Sequence, residues 1–107
     1  MQAAQAIHAL AALAQEHRLS LFRLLVQAGE QGMAAGTIAE ALGVPNSSLS
    51  FHLAQLRNAA LIVRERRHRS LIYRANYPAM NALVSFLTEN CCGGEDCSIP
   101  KAEADAA

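Results

Sequence analysis

The segment from Pro45 to Leu61 has two faces of opposite chemistry. Wound at 3.6 residues per turn, it places an apolar stripe on one side, formed by Leu49, Leu53, Leu56 and Ala60. The other side carries small, uncharged groups and one aromatic ring, from Ser47, Ser50, Phe51, Ala54 and Asn58. The pattern predicts a single amphipathic helix that packs its leucine stripe into a core and exposes the opposite face.

Three further helices are predicted before this segment. Residues 2–14 are almost all Ala, Leu or Ile, so a helix there needs cover on more than one side, either from its own domain or from a second subunit. A helix over residues 16–28 ends at Gly29 and directs four side chains inward: Leu19, Phe22, Leu25 and Val26. A short helix over residues 34–42 is closed by Gly43, and Pro45 then starts the amphipathic helix.

Beyond Leu61, the β-prone segments 62–66 and 71–75 are expected to pair as a hairpin around an arginine-rich tip. A last helix is predicted from Pro78 to about Asn90, with Met80, Leu83, Val84 and Leu87 on its apolar face. The order of elements predicts a mainly α fold with a small hairpin. This is a winged helix-turn-helix of about five helices and a two-stranded wing. Residues 1–90 form the expected domain, and residues 91–107 a tail with a disordered end.

Composition adds few restrictions. A chain of 107 residues fits one domain, and its longest apolar run falls well short of the roughly 18 residues that indicate a membrane span. The alanine-rich start has no cationic leader, so we expect a cytoplasmic protein that does not contact a membrane. No pairing of a nucleophile with a base and no cofactor-binding loop is evident, and an enzyme is not expected.

The formal net charge is zero, but the charges are segregated along the chain. Between Arg57 and Arg74 six arginines face one acid, and from Glu89 onward five acids face one lysine. A basic hairpin after an amphipathic helix favours double-stranded DNA as the partner, with the helix in the major groove and the wing on the flanking backbone. A solvated charged hairpin is the alternative. The predicted DNA-binding residues are Ser47, Ser48, Ser50, Phe51, Gln55, Arg57, Arg66, Arg67, His68 and Arg69, whereas His52, at the margin of the leucine stripe, is predicted to be structural.

All three cysteines lie within seven residues, at positions 91, 92 and 97. Their odd number argues against a disulfide framework, and Gly93-Gly94 would let the chain fold back so that three sulfurs converge. A structural zinc site usually needs a fourth ligand, whereas three thiolates suit trivalent arsenic or antimony. The nearby acids and the helix C-terminus disfavour free thiolates and therefore reaction with oxidants.

Four stretches of the chain resemble the ArsR/SmtB family of winged-helix metal- and metalloid-responsive repressors. These are residues 12–19, 38–43, 47–53 and the end of the wing at 72–74, and the resemblance covers about residues 5–90. It implies a homodimer formed through the first and last helices, operator binding without ligand, and release when ligand binds. The arsenic-responsive members are the most similar.

The chain departs from three ligand sites known in that family. Residues 33–37 lack the Cys-x-Cys of the best-known arsenic site, the last helix has no histidine for an interfacial zinc site, and no two cysteines lie on separate helices as in persulfide sensors. Cys91, Cys92 and Cys97 remain, and they resemble the tail sites of some arsenic-responsive relatives. The expected function is an operator-binding repressor released by As(III) or Sb(III). The alternatives are the same fold responding to Cd, Pb, Zn or oxidant, and a thiol-based metal-buffering protein.

Overall fold

The computed structural model describes residues 1–94 and contains the predicted winged helix-turn-helix with five α-helices. The helices are α1 (Ala3–Leu13), α2 (Glu16–Ala28), α3 (Ala35–Leu42), α4 (Asn46–Asn58) and α5 (Tyr77–Leu87). The strands are β1 (Met33–Ala34), β2 (Ile62–Arg67) and β3 (Ser70–Ala75). A single 3-10 turn, Cys91–Gly94, follows α5, and the predicted tail beyond it lies outside the described residues.

The core lies where α2, α3 and α4 meet the sheet. Its largest fully buried side chains are Leu21, Leu25, Ile38, Leu49, Leu56 and Leu61. The predicted α4 stripe is confirmed at Leu49, Leu53 and Leu56. The prediction for α2 is wrong at Leu19, which is 47% exposed, because Leu21 rather than Leu19 faces the core.

Local backbone chemistry determines where the helices begin and end. The Gln15 side chain accepts a hydrogen bond from the backbone N–H of Arg18 and so caps α2. Gly43 ends α3 in the left-handed conformation, with its N–H bonded to the Ala39 carbonyl, and Pro45 is the N-cap of α4.

Two predicted helices end earlier than expected. The prediction that α4 continues to Leu61 with Ala60 on its apolar stripe is wrong, because Ala60 has φ +61° and is exposed. The N–H of Leu61 instead bonds to the Leu56 carbonyl, which turns the chain towards β2. The last helix ends at Leu87, three residues before its expected end at Asn90.

The sheet contains three strands rather than the predicted two. Strands β2 and β3 pair antiparallel up to Arg67 and Ser70, so that only His68 and Arg69 form the turn, with His68 in the left-handed region. Strand β1 adds to the other side of β3 and makes the order β1-β3-β2. Sequence patterning does not reveal β1 because two residues show no periodicity.

Helices α1 and α5 leave large apolar side chains uncovered. Ile7 is 67% exposed, Val84 55% and Leu87 58%, with Leu10 also exposed. On its inner side, α5 is held by the Tyr77 hydroxyl, which donates to the Val26 carbonyl at 2.9 Å. No helix within residues 1–94 combines the length and hydrophobicity of a membrane span.

Replacing Gly32 with alanine is expected to lower the free energy of unfolding by about 2 kcal/mol or more. Gly32 has φ +66°, and an added Cβ would lie 2.4 Å from the Tyr73 carbonyl oxygen. Chemical denaturation measures the change. The matched control is Gly36→Ala in α3, where no atom lies within 4 Å and φ is ordinary; it should be neutral or stabilising. Equal stability losses for the two variants would contradict the assigned backbone at Gly32.

Candidate nucleic-acid interface and cysteine turn

Helix α4 presents its polar face to solvent. Ser47, Ser48 and Ser50 are exposed, and Phe51 is 57% exposed, as the sequence pattern predicts. Gln55 is half-buried at the edge of this face. The Ser50 hydroxyl donates to the Asn46 carbonyl one turn earlier, which leaves its oxygen able to accept. Since α4 contains no acidic residue, hydroxyl groups and an aromatic ring define the chemistry of this face.

The arginines around this face differ in how firmly they are held. Arg57 lies exposed in the last turn of α4, where the helix dipole favours a cation. Arg67 donates to the Gln31 carbonyl at 3.0 Å and forms an ion pair with Glu65. Within residues 1–94, Arg66, His68 and Arg69 are exposed and take part in no ion pair. Arg67 is therefore held within the protein, whereas Arg66 and Arg69 are available to bind phosphates. The DNA contacts predicted for all three arginines stay a prediction.

Glu65 is the only acid in the wing, and its charge is already compensated. Arg67 and Arg74 both contact its carboxylate, and the hydrogen bond from Arg67 is the main reason that the pKa of Glu65 lies below its usual range. Arg74 also pairs with Glu30 at 3.7 Å, which ties the wing to the loop after α2. The surface of the wing is consequently basic although the chain as a whole is neutral.

His52 lies on α4 and is buried beneath the polar face of that helix, called the reading face below, in agreement with its predicted structural role. It is 9% exposed, and its Nδ1 lies 3.4 Å from an amino nitrogen of Arg18. Burial is the main cause that lowers the pKa of His52 from 6.5, followed by the charges of Arg18 and His17. The role of Arg18 is not evident from the sequence, because Arg18 and His52 are 34 positions apart in the chain.

The cysteine turn, residues 90–94, follows α5 after Thr88 and Glu89. Asn90 and Cys92 have φ of +57° and +56°, Gly93 has +67°, and the Gly93 N–H bonds to the Asn90 carbonyl. The Cys91 thiol is free and exposed, and its sulfur donates to that of Cys92 at 3.7 Å. Cys92 is disulfide-bonded, although the odd number of cysteines argued against a disulfide framework.

The predicted three-cysteine site lies only partly within the described residues. Cys97 is outside them, and the part of the chain up to Gly94 contains no group of three potential metal ligands. The structure brings the sulfurs of Cys91 and Cys92 within 3.7 Å of each other. The contribution of Cys97 stays a prediction.

Comparison with known proteins agrees with this architecture. A family model described as a helix-turn-helix domain matches residues 13–66, half of the chain. The HTH-type transcriptional regulator YgaV of Escherichia coli K12 is 31% identical over 79 residues, which cover 74% of this chain and 80% of that protein.

Solved structures extend the similarity beyond the matched domain. An ArsR-like transcriptional regulator from Rhodococcus sp. RHA1 has a TM-score of 0.73 at 24% identity, with 96% of this chain and 85% of that one covered. HlyU from Vibrio cholerae has a TM-score of 0.67 at 26% identity, covering 86% and 99%. The homodimeric winged helix-turn-helix domain of Mb0332 from Mycobacterium bovis, a possible ArsR-family regulator, has a TM-score of 0.63 at 26% identity, covering 89% and 88%.

Neutralising a free wing arginine is expected to weaken DNA binding and its dependence on salt. Arg66→Gln and Arg69→Gln should each lower the slope of log affinity against log salt concentration by about 0.9 for every phosphate that the arginine neutralises. Fluorescence anisotropy with duplex DNA at several salt concentrations measures this slope. The control is Arg23→Gln, which removes the same charge from an exposed position of α2 outside the predicted interface. It should leave the slope unchanged. Equal slopes for wing and control variants would contradict the binding of phosphates by the wing.

Proposed function

Since the chain belongs to the helix-turn-helix family of transcriptional regulators, in the winged form of ArsR-type proteins, we propose that it is a dimeric repressor. It binds an operator, and trivalent arsenic or antimony releases it. The observation that carries the proposal is the position of the cysteine turn. It follows α5 after Thr88 and Glu89, and α5 leaves large apolar side chains exposed. The proposal thus assigns ligand binding and DNA binding to separate sites on one small scaffold.

DNA binding is supported by the chemistry of α4 and the wing. Serine hydroxyls can donate to or accept from base edges and phosphates, and an exposed phenylalanine such as Phe51 can pack on a thymine methyl group. Arg66 and Arg69 supply phosphate attraction that does not depend on sequence. The α4 face then selects the operator, while Arg57 and the wing hold the protein on it.

A homodimer is supported by the uncovered faces of α1 and α5. Ile7, Leu10, Val84 and Leu87 are large apolar side chains exposed on these two helices, and burying each stabilises an interface by about 1.5–3 kcal/mol. The similar Mb0332 domain is described as homodimeric. A second copy of the chain that packs against both helices would place two α4 helices in successive major grooves, about 34 Å apart.

The inducer is inferred from the number of thiols, and the spacing of two of them suits a shared soft atom. In a tetrahedral zinc site, for comparison, two Zn–S bonds of about 2.3 Å separate the sulfurs by about 3.8 Å. The sulfurs of Cys91 and Cys92 lie 3.7 Å apart, close to that separation. Cys97 is the proposed third thiol, and trivalent arsenic needs only three because its lone pair occupies the fourth direction.

Release is proposed to act through α5. Metalloid bound at the turn fixes residues 90–92, two of which have positive φ, and so reshapes the end of the dimerisation helix. At its other end, Asn76 caps α5 and donates to the Ala60 carbonyl, just beyond α4. The backbone N–H of Asn76 also donates to the Leu61 carbonyl, so two hydrogen bonds join the start of α5 to the segment after α4. We propose that a change in α5 reaches α4 through them, and a coupling of about 1–3 kcal/mol would suffice.

An oxidant-responsive regulator of the same fold is the second candidate. It is favoured by one observation, the disulfide bond of Cys92. Cadmium, lead and zinc are further candidate signals for the cysteine turn. A metal-buffering protein is the least favoured alternative, because it gives no reason for the basic wing.

Titration of the DNA complex distinguishes these candidates. The reduced protein first selects a duplex from random DNA, and it is then bound to a fluorescent copy of that duplex. Arsenite, antimonite, cadmium, zinc and peroxide are each added to a separate sample of the complex. Arsenite and antimonite are expected to lower the anisotropy to that of free DNA, since they bind the thiols of Cys91, Cys92 and Cys97. Peroxide should release DNA only if the protein responds to oxidants.

Cysteine-to-serine variants locate the site. Cys91→Ser, Cys92→Ser and Cys97→Ser are each expected to bind the same duplex with unchanged affinity and to lose release by arsenite. Their unchanged affinity is the control that the reading head is intact. Release that survives in the triple variant would overturn the cysteine site, and failure of the wild-type protein to select any duplex would overturn the repressor.

A further inference from the structure

Arg18 connects three helices at the base of the reading head. Its backbone N–H bonds to the Gln15 side chain at the start of α2, and its Nε donates to the Ala12 carbonyl of α1 at 2.6 Å. Its terminal amino group lies 3.4 Å from Nδ1 of His52 on α4. One side chain therefore joins α1 to the recognition helix from its own position on α2.

The contact with α1 uses a group that the helix cannot satisfy itself. The last four carbonyls of a helix have no partner within it, and Ala12 is the penultimate residue of α1. A cation is also favourable at a helix C-terminus. Arg18 thus stabilises the end of the helix that the proposed function assigns to the dimer interface.

The contact with α4 depends on the protonation state of His52. A guanidinium only donates hydrogen bonds, so Nδ1 of His52 has to accept, and the proton of the neutral ring is assigned to Nε2. A proton on Nδ1 removes the acceptor and places an imidazolium beside a guanidinium. Phe51, on the reading face, packs edge-on against the same ring with centroids 5.6 Å apart.

We propose that Arg18 is a positioning residue that holds the recognition helix to α1 through unprotonated His52, and that protonation of His52 weakens operator binding. The inference rests on the proposed function and adds a second input to it, acidification, separate from the cysteines. It follows from the contacts of Arg18 with Ala12 and His52 and from the position of Phe51 on the same ring.

The charges that act on His52 come from α2. They are Arg18 and His17, and both oppose a positive charge on His52. The ring centroids of His17 and His52 lie 5.6 Å apart. From α1 the Ala12 carbonyl faces Arg18 rather than His52. Burial acts in the same direction, so the pKa of His52 in the folded protein is below 6.5. The neutral ring is the dominant form at neutral pH.

The sign of the stability change follows from this shift. Because the unfolded chain binds the proton more readily, stability is full above pH 6.5 and falls as the pH decreases from 6.5 towards the lower folded-state pKa. Operator binding should weaken at lower pH, as the pH falls through the pKa of His52 in the free folded protein towards its still lower pKa in the DNA complex.

The test compares operator affinity at about pH 8 and about pH 5, at constant ionic strength and below the thermal transition measured at each pH. The affinity of the wild-type protein for its selected duplex should fall about tenfold on acidification. His52→Gln should show no such fall, because the amide oxygen of glutamine accepts from Arg18 at either pH. His8→Gln, which replaces an exposed histidine on α1, is the matched control and should retain it.

Two further measurements guard against a variant that fails to fold. Arg18→Lys, which keeps the charge but lacks the fork that spans Ala12 and His52, should bind more weakly at about pH 8 and show a flattened pH profile. In the wild-type protein, NMR titration of the His52 ring should show that bound duplex lowers its pKa by about one unit, the equivalent of a tenfold linkage.

The outcomes separate this inference from the proposed function. A pKa of His52 that is the same with and without DNA, or a His52→Gln variant that retains the tenfold fall, would overturn the role of Arg18 and His52 while leaving the repressor intact. Absence of any selected duplex at about pH 8 would instead contradict the repressor itself.

Discussion

Burial of one face of α4 is the constraint on which the rest of the structure depends. Leu49, Leu53 and Leu56 pack against the other helices and the sheet, and each contributes about 1.5–3 kcal/mol by leaving water. Turning α4 by one residue, about 100°, would expose these leucines and bury serines. The core therefore determines which face of α4 is presented, and the polar reading face is a consequence of apolar packing.

Ion pairs within the wing determine which of its arginines are available near that face. A neutral chain can present a basic wing because Arg67 and Arg74 compensate the charge of Glu65, the only acid of the wing, while Arg66 and Arg69 stay available. A similar division occurs inside the protein, where Arg18 serves both α1 and His52. Arginines held by intramolecular contacts and arginines without an ion pair among residues 1–94 thus have the same side chain and differ in what surrounds them.

The sequence predicted most of the fold because long amphipathic helices and a hairpin have clear periodicity. It did not predict β1, whose two residues have no period, or the early end of α4, because alanine at position 60 does not signal a left-handed turn. The face of α4 was predicted correctly because three leucines define it. The roles of Arg18 and Arg67 were hidden, since their partners lie 34 and 36 residues away in sequence.

The proposed repressor requires that two copies of α4 read DNA together, in a dimer held by α1 and α5. Selection of binding sites from random duplex DNA is the direct measurement of this arrangement. Such a dimer should enrich a palindromic sequence whose half-site centres lie about 10–10.5 base pairs, or a multiple of that spacing, apart. Enrichment of a single unrepeated half-site, or no enrichment above input, would contradict it.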